Sequence, residues 1–235
     1  MSVMGLLFVV IASIAATWLW RQGVLQAPWL QEGEVAAYSG RAVAPPPAAK
    51  VGLGVFLAVA ACVFSLMTAA YFMRQSSPDW RTPPMPGVLL LNTLTLIASS
   101  VTIQMAHFAA MQGARERLEA WLVASAALSL LFVMGQLWAW RELIAAGVYA
   151  AGNPANAFFY LLTGAHGLHL IGGLVAMAGA IGKVRDQQRT PESLASSVEL
   201  CAIYWHFLLF VWLLLFLMLT GRADALGAIC RRILS

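Results

Sequence analysis

Four histidines and one glutamate lie within or beside long apolar stretches, where polar side chains are costly and tend to mark function. His107, His166, His169, His206 and Glu199 are these residues. Imidazoles at membrane depth suit three kinds of chemistry: ligation of haem or a metal, proton transfer, or polar contact with a headgroup or a neighbouring helix. His166 and His169 are three residues apart on one helical face, and His206 on the next helix is expected to approach them. A bis-histidine haem needs two ligands at similar depth on facing helices, and the carboxylates and thiols are poorly placed to complete a metal site. Cys62, Cys201 and Cys230 are widely separated, without a paired spacing. A free Cys in an apolar segment behaves as a small hydrophobe. Glu199 and His206 are seven residues apart, two turns and roughly 10 Å of rise. A headgroup, a water chain or a histidine of the preceding helix fits between them. The remaining polar groups in the apolar runs are Asn92, Thr93, Thr95, Ser99, Ser100, Thr102, Gln104, Gln136 and Tyr204. Interhelical hydrogen bonds are their expected role.

The elements that position these residues are transmembrane helices. Of 235 residues, 61% are hydrophobic and 10% charged, whereas a soluble domain carries about 25% charge. A surface of that composition must be covered by lipid. The apolar stretches cover 3–20, 51–73, 87–110, 118–140, 156–182 and 198–220. Each can cross a hydrocarbon core, and lengths of that kind exclude barrel strands. The expectation is an all-α polytopic bundle of six spans. Asn153-Pro154 and Thr190-Pro191 read as N-caps followed by proline at the first helical position. If the sixth span starts near Pro191 and runs to Thr220, it measures roughly 45 Å at 1.5 Å per residue. Gly172, Ala176 and Ala180 form a small-residue ridge suited to close helix approach.

The chain divides into an N-terminal span (1–22), a linker (23–49) stiffened by Pro45-Pro46-Pro47, a five-helix core (50–221) and a tail (222–235) containing a candidate interfacial segment, 227–233. No basic residue precedes the first apolar run, and Arg21 follows it, which suits an anchor rather than a cleaved signal. With the first terminus outside, the inner loops carry Arg21, Arg41, Lys50, Arg115, Arg117, Lys183, Arg185 and Arg189. The outer loops carry Arg74, Arg81 and Arg141, with Arg222, Arg231 and Arg232 in the tail. That asymmetry favours both termini outside. Trp18, Trp20, Trp80, Trp121, Trp138 and Trp140 lie near span ends, as an aromatic belt requires. The net charge of +4 comes from short loops, with no basic run suited to nucleic acid. No phosphate-loop, dinucleotide or hydrolase motif is present; Gly164 and Gly167 lie inside an apolar helix with no strand before them.

Several of the same residues resemble the subunit III family of haem–copper oxidases. The similarity is carried by Phe158-Phe159-Tyr160-Leu161-Leu162-Thr163-Gly164-Ala165-His166-Gly167-Leu168-His169, running on to Gly172-Gly173, and by Ser197-Val198-Glu199-Leu200 with Tyr204-Trp205-His206-Phe207. Leu91-Asn92-Thr93 with Ser99-Ser100-Val101-Thr102 and Ala106-His107, and Lys50-Val51-Gly52 through Tyr71-Phe72, extend it over roughly residues 50–220. The resemblance implies the short five-helix type with an extra helix in front. It also implies an accessory subunit of a proton-pumping terminal oxidase, using cytochrome c or quinol, that packs against catalytic subunit I and subunit II and holds phospholipid. Haem and copper then belong to the partner, and this chain binds no metal or redox cofactor of its own and has no catalytic residue. Carried over by position, His166, His169, Glu199, Trp205 and His206 are candidates for lipid or inter-subunit contact. The sequence departs from the family at Val59-Ala60, where a Ser-Glu pair is usual, and at Leu208-Leu209-Phe210, where many members place an Asp. Roles assigned to those carboxylates do not transfer. An accessory protein of a nitric oxide reductase and a small haem-binding cytochrome remain as alternative readings.

Overall fold

In the computed structural model, residues 48–186, 188 and 190–221 are described, together with Ser13 and Thr17. The N-terminal span, the linker and the tail segment 227–233 fall almost wholly outside these residues. Five helices are present: α1 Ala48–Gln75, α2 Val88–Met111, α3 Arg115–Ala145, α4 Pro154–Arg185 and α5 Pro191–Leu219. They are the second to sixth expected spans, and all five are long and apolar enough to cross a membrane. No strand occurs among the described residues. The chain forms two compact units, Met1–Cys62 and Val63–Ser235. The second unit, which holds α2–α5 and the latter part of α1, contains the packed body described below.

Local sequence dictates where these helices start and stop. Asn153 caps α4, its side-chain oxygen accepting from the Ala155 amide at 2.8 Å, with Pro154 following. Thr190 does the same for α5 through the Ser193 amide at 3.4 Å, ahead of Pro191. Both are caps that satisfy amides left over at a helix start. At the other ends, α2 and α3 finish in the same device. Gly113, at φ +69°, lets its own amide reach the Ala110 carbonyl and the Ala114 amide reach that of Ala109. Gly147, at φ +77°, brings its own amide to Ile144 and the Val148 amide to Leu143. This paired closure needs a left-handed residue just past the helix, a conformation open to glycine.

Contact runs α2 to α3, α2 to α5, α4 to α5 and α3 to α4, so the four helices close on a shared interior. Leu96, Ile103, Leu122, Phe132, Leu162, Leu170, Met177 and Leu208 are wholly buried there. Outward, Leu66, Met134, Leu168 and Val175 are at least 65% exposed. Inside and outside are therefore equally apolar, and close packing and polar contacts set the fit between helices instead of a hydrophobic contrast.

Two glycines mark the closest approaches. A Cβ on Gly135 of α3 would fall 2.0 Å from Asn92 Oδ1 on α2, and one on Gly173 of α4 would fall 2.5 Å from Tyr204 Cε1 on α5. The expected ridge of Gly172, Ala176 and Ala180 is thus rotated from the real one. Gly172 and Ala176 are exposed, and Gly173, Met177 and Ala180 form the buried line. One residue along a helix is a turn of about 100°, enough to move the ridge off the interface.

Candidate functional site

A knot of hydroxyl groups fixes three helices in register. Ser99 of α2 meets the Ser125 hydroxyl at 3.0 Å and that of Ser129 at 2.8 Å, both on α3. Ser129 also donates to the Ser125 carbonyl at 2.8 Å. Trp205 of α5 enters this knot with its indole N–H, 3.0 Å from Ser99 Oγ and 3.1 Å from Ser129 Oγ. It is fully buried. Trp212, two turns on, donates to Thr93 Oγ1 at 3.0 Å, and Trp140 donates to Thr163 Oγ1 at 3.1 Å, tying α5 to α2 and α3 to α4. A buried indole N–H needs an acceptor, and in each case a serine or threonine supplies it. Ser125, Ser129 and Trp212 are the residues of this framework that motif reasoning passes over, and Thr163 and Trp140 enter it without their pairing. Their signal is present in the sequence, as hydroxyl residues at four-residue spacing and tryptophans placed within apolar runs. Trp140, half-buried near the end of its helix, joins this framework from the span end. Trp138, at 64% exposure, and Trp121, at 39%, do face outward, and Trp80 packs edge-to-face against Tyr71 with ring centroids 4.9 Å apart.

The histidines have different surroundings. His166 is fully buried among aromatic rings, its centroid 5.2 Å from Trp212, 5.8 Å from Phe132 and 6.5 Å from Phe64. Neither ring nitrogen has a hydrogen-bond partner among the described residues. His169, half-buried, lies 5.3 Å from Phe64 and bonds the Ala165 carbonyl of its own helix through Nδ1 at 2.8 Å. The His169 carbonyl in turn accepts from the Tyr204 hydroxyl at 2.7 Å. His206 does not join the other two. Its Nδ1 lies 2.6 Å from Ser100 Oγ and its Nε2 2.9 Å from Gln104 Oε1, so α2 holds it. The expectation that His206 approaches His166 and His169 is thereby corrected: a step of one residue from Trp205 turns its side chain toward α2. His107, on that same helix, has a buried Nδ1 without a partner among the described residues.

Glu199 is half-buried, one turn and a half before Trp205 on α5. Trp205 and His166 have no exposed surface in the described chain. Any part they take in lipid or subunit contact therefore passes through the neighbours they position, whereas His169, Glu199 and His206 offer surface directly. Among the described residues no three His, Cys, Asp or Glu side chains gather into a metal-holding group.

The family profile described as cytochrome c oxidase subunit III matches residues 2–221. The chain belongs to that family. Among its relatives, the probable cytochrome c oxidase subunit 3 of Mycobacterium tuberculosis is 36% identical over 176 residues, covering 73% of this chain and 86% of the relative. The Mycobacterium leprae protein of the same description is 34% identical over 175 residues, with the same coverage. Cytochrome c oxidase subunit 3 of Synechocystis is 30% identical over 175 residues, covering 71% of this chain and 72% of the relative. The resemblance read from the two-histidine and Tyr-Trp-His-Phe motifs is thus the family to which the whole profile points. Within a subunit III fold those motifs have separate structural tasks. The first lies among aromatic rings, and the second supplies both the inward anchor Trp205 and the outward-turned His206.

Proposed function

We propose that this chain is the non-redox accessory subunit of a haem–copper oxidase, packed against catalytic subunit I and subunit II and holding phospholipid between its helices. Haem and copper reside in the partner. Loop charges favour a multi-pass protein of a bacterial-type inner membrane with both termini outside, and the N-terminal span is an addition to the five-helix core.

One observation carries the partner assignment. His206 is exposed halfway along the 29-residue α5, and Ser100 and Gln104 lie beside it on α2. Polar groups at that depth are unfavourable against hydrocarbon and face protein or a polar cavity. The hydrogen bonds specify the chemistry offered. With Gln104 Oε1 as the acceptor, an N–H on His206 Nε2 completes that bond and leaves Nδ1 to accept from the Ser100 hydroxyl. The imidazole is satisfied in its neutral form, and the Gln104 amide keeps its N–H groups for an acceptor on another chain. A transmembrane helix of the catalytic subunit can supply that acceptor.

The test is affinity purification of the tagged chain from membranes, with the co-purifying oxidase measured by its haem spectrum. Wild type brings down a haem–copper complex. Gln104→Leu and His206→Leu are expected to lower its recovery several-fold with the chain still inserted. Full recovery in both variants assigns the subunit contact to another face. Phospholipid per complex, by mass spectrometry, tests Glu199: Glu199→Gln is expected to lower it, and equal lipid returns Glu199 to helix packing.

A further inference from the structure

Three side chains in the α2–α5 interior have polar atoms that meet no hydrogen-bonding group of the described chain: Asn92 through Nδ2, Gln136 through both amide atoms, and His166 through both ring nitrogens. Their exposures are 2%, 4% and 0%. Such groups are nearly always paired in folded proteins, with protein or with ordered water. In a membrane body the alternative to a partner is hydrocarbon.

The fold sets the three at neighbouring levels of the bundle. Asn92 lies against the α3 backbone at Gly135, the residue before Gln136. Gln136 stands one turn from Phe132 on the same face of α3, and Phe132 touches both His166 and Trp212. One turn the other way, Trp140 bonds Thr163, which precedes His166 by three residues on α4. Gln136 therefore lies between two α3–α4 contacts, at the level of Asn92 and within a turn of His166. Nearby hydroxyls are already committed: Thr93 to Trp212 and to the Leu89 carbonyl, Thr163 to Trp140 and to the Phe159 carbonyl.

The unpaired set selects its ligand. Asn92 offers a donor, Gln136 a donor and an acceptor, and a neutral imidazole one of each. A metal ion finds no carboxylate or thiolate in this set, and amide N–H groups repel it. An anion finds no cation. An apolar gas answers none of the hydrogen bonds. A molecule that donates and accepts at once and occupies little volume is water, which makes two to four such bonds when buried. We infer that Asn92, Gln136 and His166 form an internal water-binding site at the junction of α2, α3 and α4, whose water is a fixed part of the subunit. The two nitrogens of one imidazole face away from each other and the set has five unpaired atoms, so the site takes more than one water. Together the waters select the tautomer of His166 and link α2 to α4, between which the described residues make no direct side-chain hydrogen bond.

The test uses the intact oxidase complex in lipid bilayers with 15N-labelled histidine. Water-edited solid-state NMR reads transfer from water protons to ring nitrogens, and the His166 signal is assigned by its loss in His166→Phe. The expected result is rapid water transfer to the His166 ring, with one nitrogen protonated and the other at the shift of a hydrogen-bonded acceptor. Absence of transfer, or a direct contact of the ring with the Asn92 or Gln136 amide in its place, overturns the inference. A second variant, Gln136→Met, keeps the volume and every histidine. If water is held there, the chain in its complex loses thermal stability by roughly 2–4 °C or more, for about 1 kcal/mol in a chain of this size. An unchanged or raised transition shows that the amide served no bound ligand and also overturns the inference. Neither readout depends on which oxidase subunits surround the chain.

Discussion

Gly173→Ala tests the packing of α4 on α5 more sharply than any change at the candidate contact residues. The added methyl group would fall 2.5 Å from Tyr204 Cε1 and 2.9 Å from Trp205 Cζ3, whereas unstrained carbon contacts lie at about 3.5–4.0 Å. One ring or one helix must then retreat by about 1 Å. Neither ring is free to do so. The Trp205 N–H is held by Ser99 and Ser129, and the Tyr204 hydroxyl by the His169 carbonyl. Overpacking costs about 1–3 kcal/mol, and loss of a neutral hydrogen bond adds about 0.5–1.5 kcal/mol. A destabilisation of about 2–4 kcal/mol follows. The neighbouring glycine is the control, because a Cβ on Gly172 meets nothing within 4 Å. Gly172→Ala should be neutral or gain about 0.5–1 kcal/mol from the better helix former. In thermal unfolding of the detergent-purified complex, the two variants should separate by roughly 4–20 °C, at 2–4 °C per kcal/mol. Equal transitions would refute the rotational setting of α4 and with it the tight Gly173 contact.

Trp205→Phe removes the N–H from the hydroxyl knot but leaves the serines bonded to one another, so a loss of about 1–2 kcal/mol is expected, measured by the same melting assay. Asn153 caps α4 and also bonds Arg81 through both its amide oxygen and its amide nitrogen, so Asn153→Ala should cost at least the ~0.5–2 kcal/mol of a lost cap and speed proteolysis of the 76–87 segment. The Arg185–Glu119 pair joins the ends of α4 and α3 at 2.7 Å, with side chains 65% and 36% exposed; Glu119→Gln should shift stability by less than about 1 kcal/mol, less still in high salt. A complex depleted of this chain should begin turnover normally and then lose activity faster than the intact complex, and an immediate, complete loss in an assembled complex would contradict an accessory role.

Helices and their limits were legible because each carries a strong local signal. The apolar runs had to be helical in lipid, and Asn153-Pro154 and Thr190-Pro191 start α4 and α5 where cap chemistry places them. The sixth expected span matches α5, Pro191–Leu219. What could not be read was which way each helix faces. In a soluble helix the polar stripe marks the outside, but here Leu168 points out and Leu170 in, and both are leucine. That is why the small-residue ridge was set one residue off at Gly172, and why His206 was expected beside His166. Pairing of hydroxyls with indoles was legible in kind, as interhelical hydrogen bonds, but not in partner. Ser99 reaches α3 residues 26 and 30 positions away, and Trp205 lies 106 positions from Ser99. Family motifs supplied the identity of the subunit independently of these orientations.

The hydroxyl knot has a consequence for biosynthesis. Its serines are translated with the second and third of the five helices, but the indole that completes it is on the last. During membrane insertion α2 and α3 can pair early through Ser99, Ser125 and Ser129, whereas α5 joins them only after Trp205 has been translated. A ribosome stalled before Trp205 would leave in the bilayer a hairpin with its polar seam partly open. A single tryptophan on α5 thus completes a seam that two earlier helices begin.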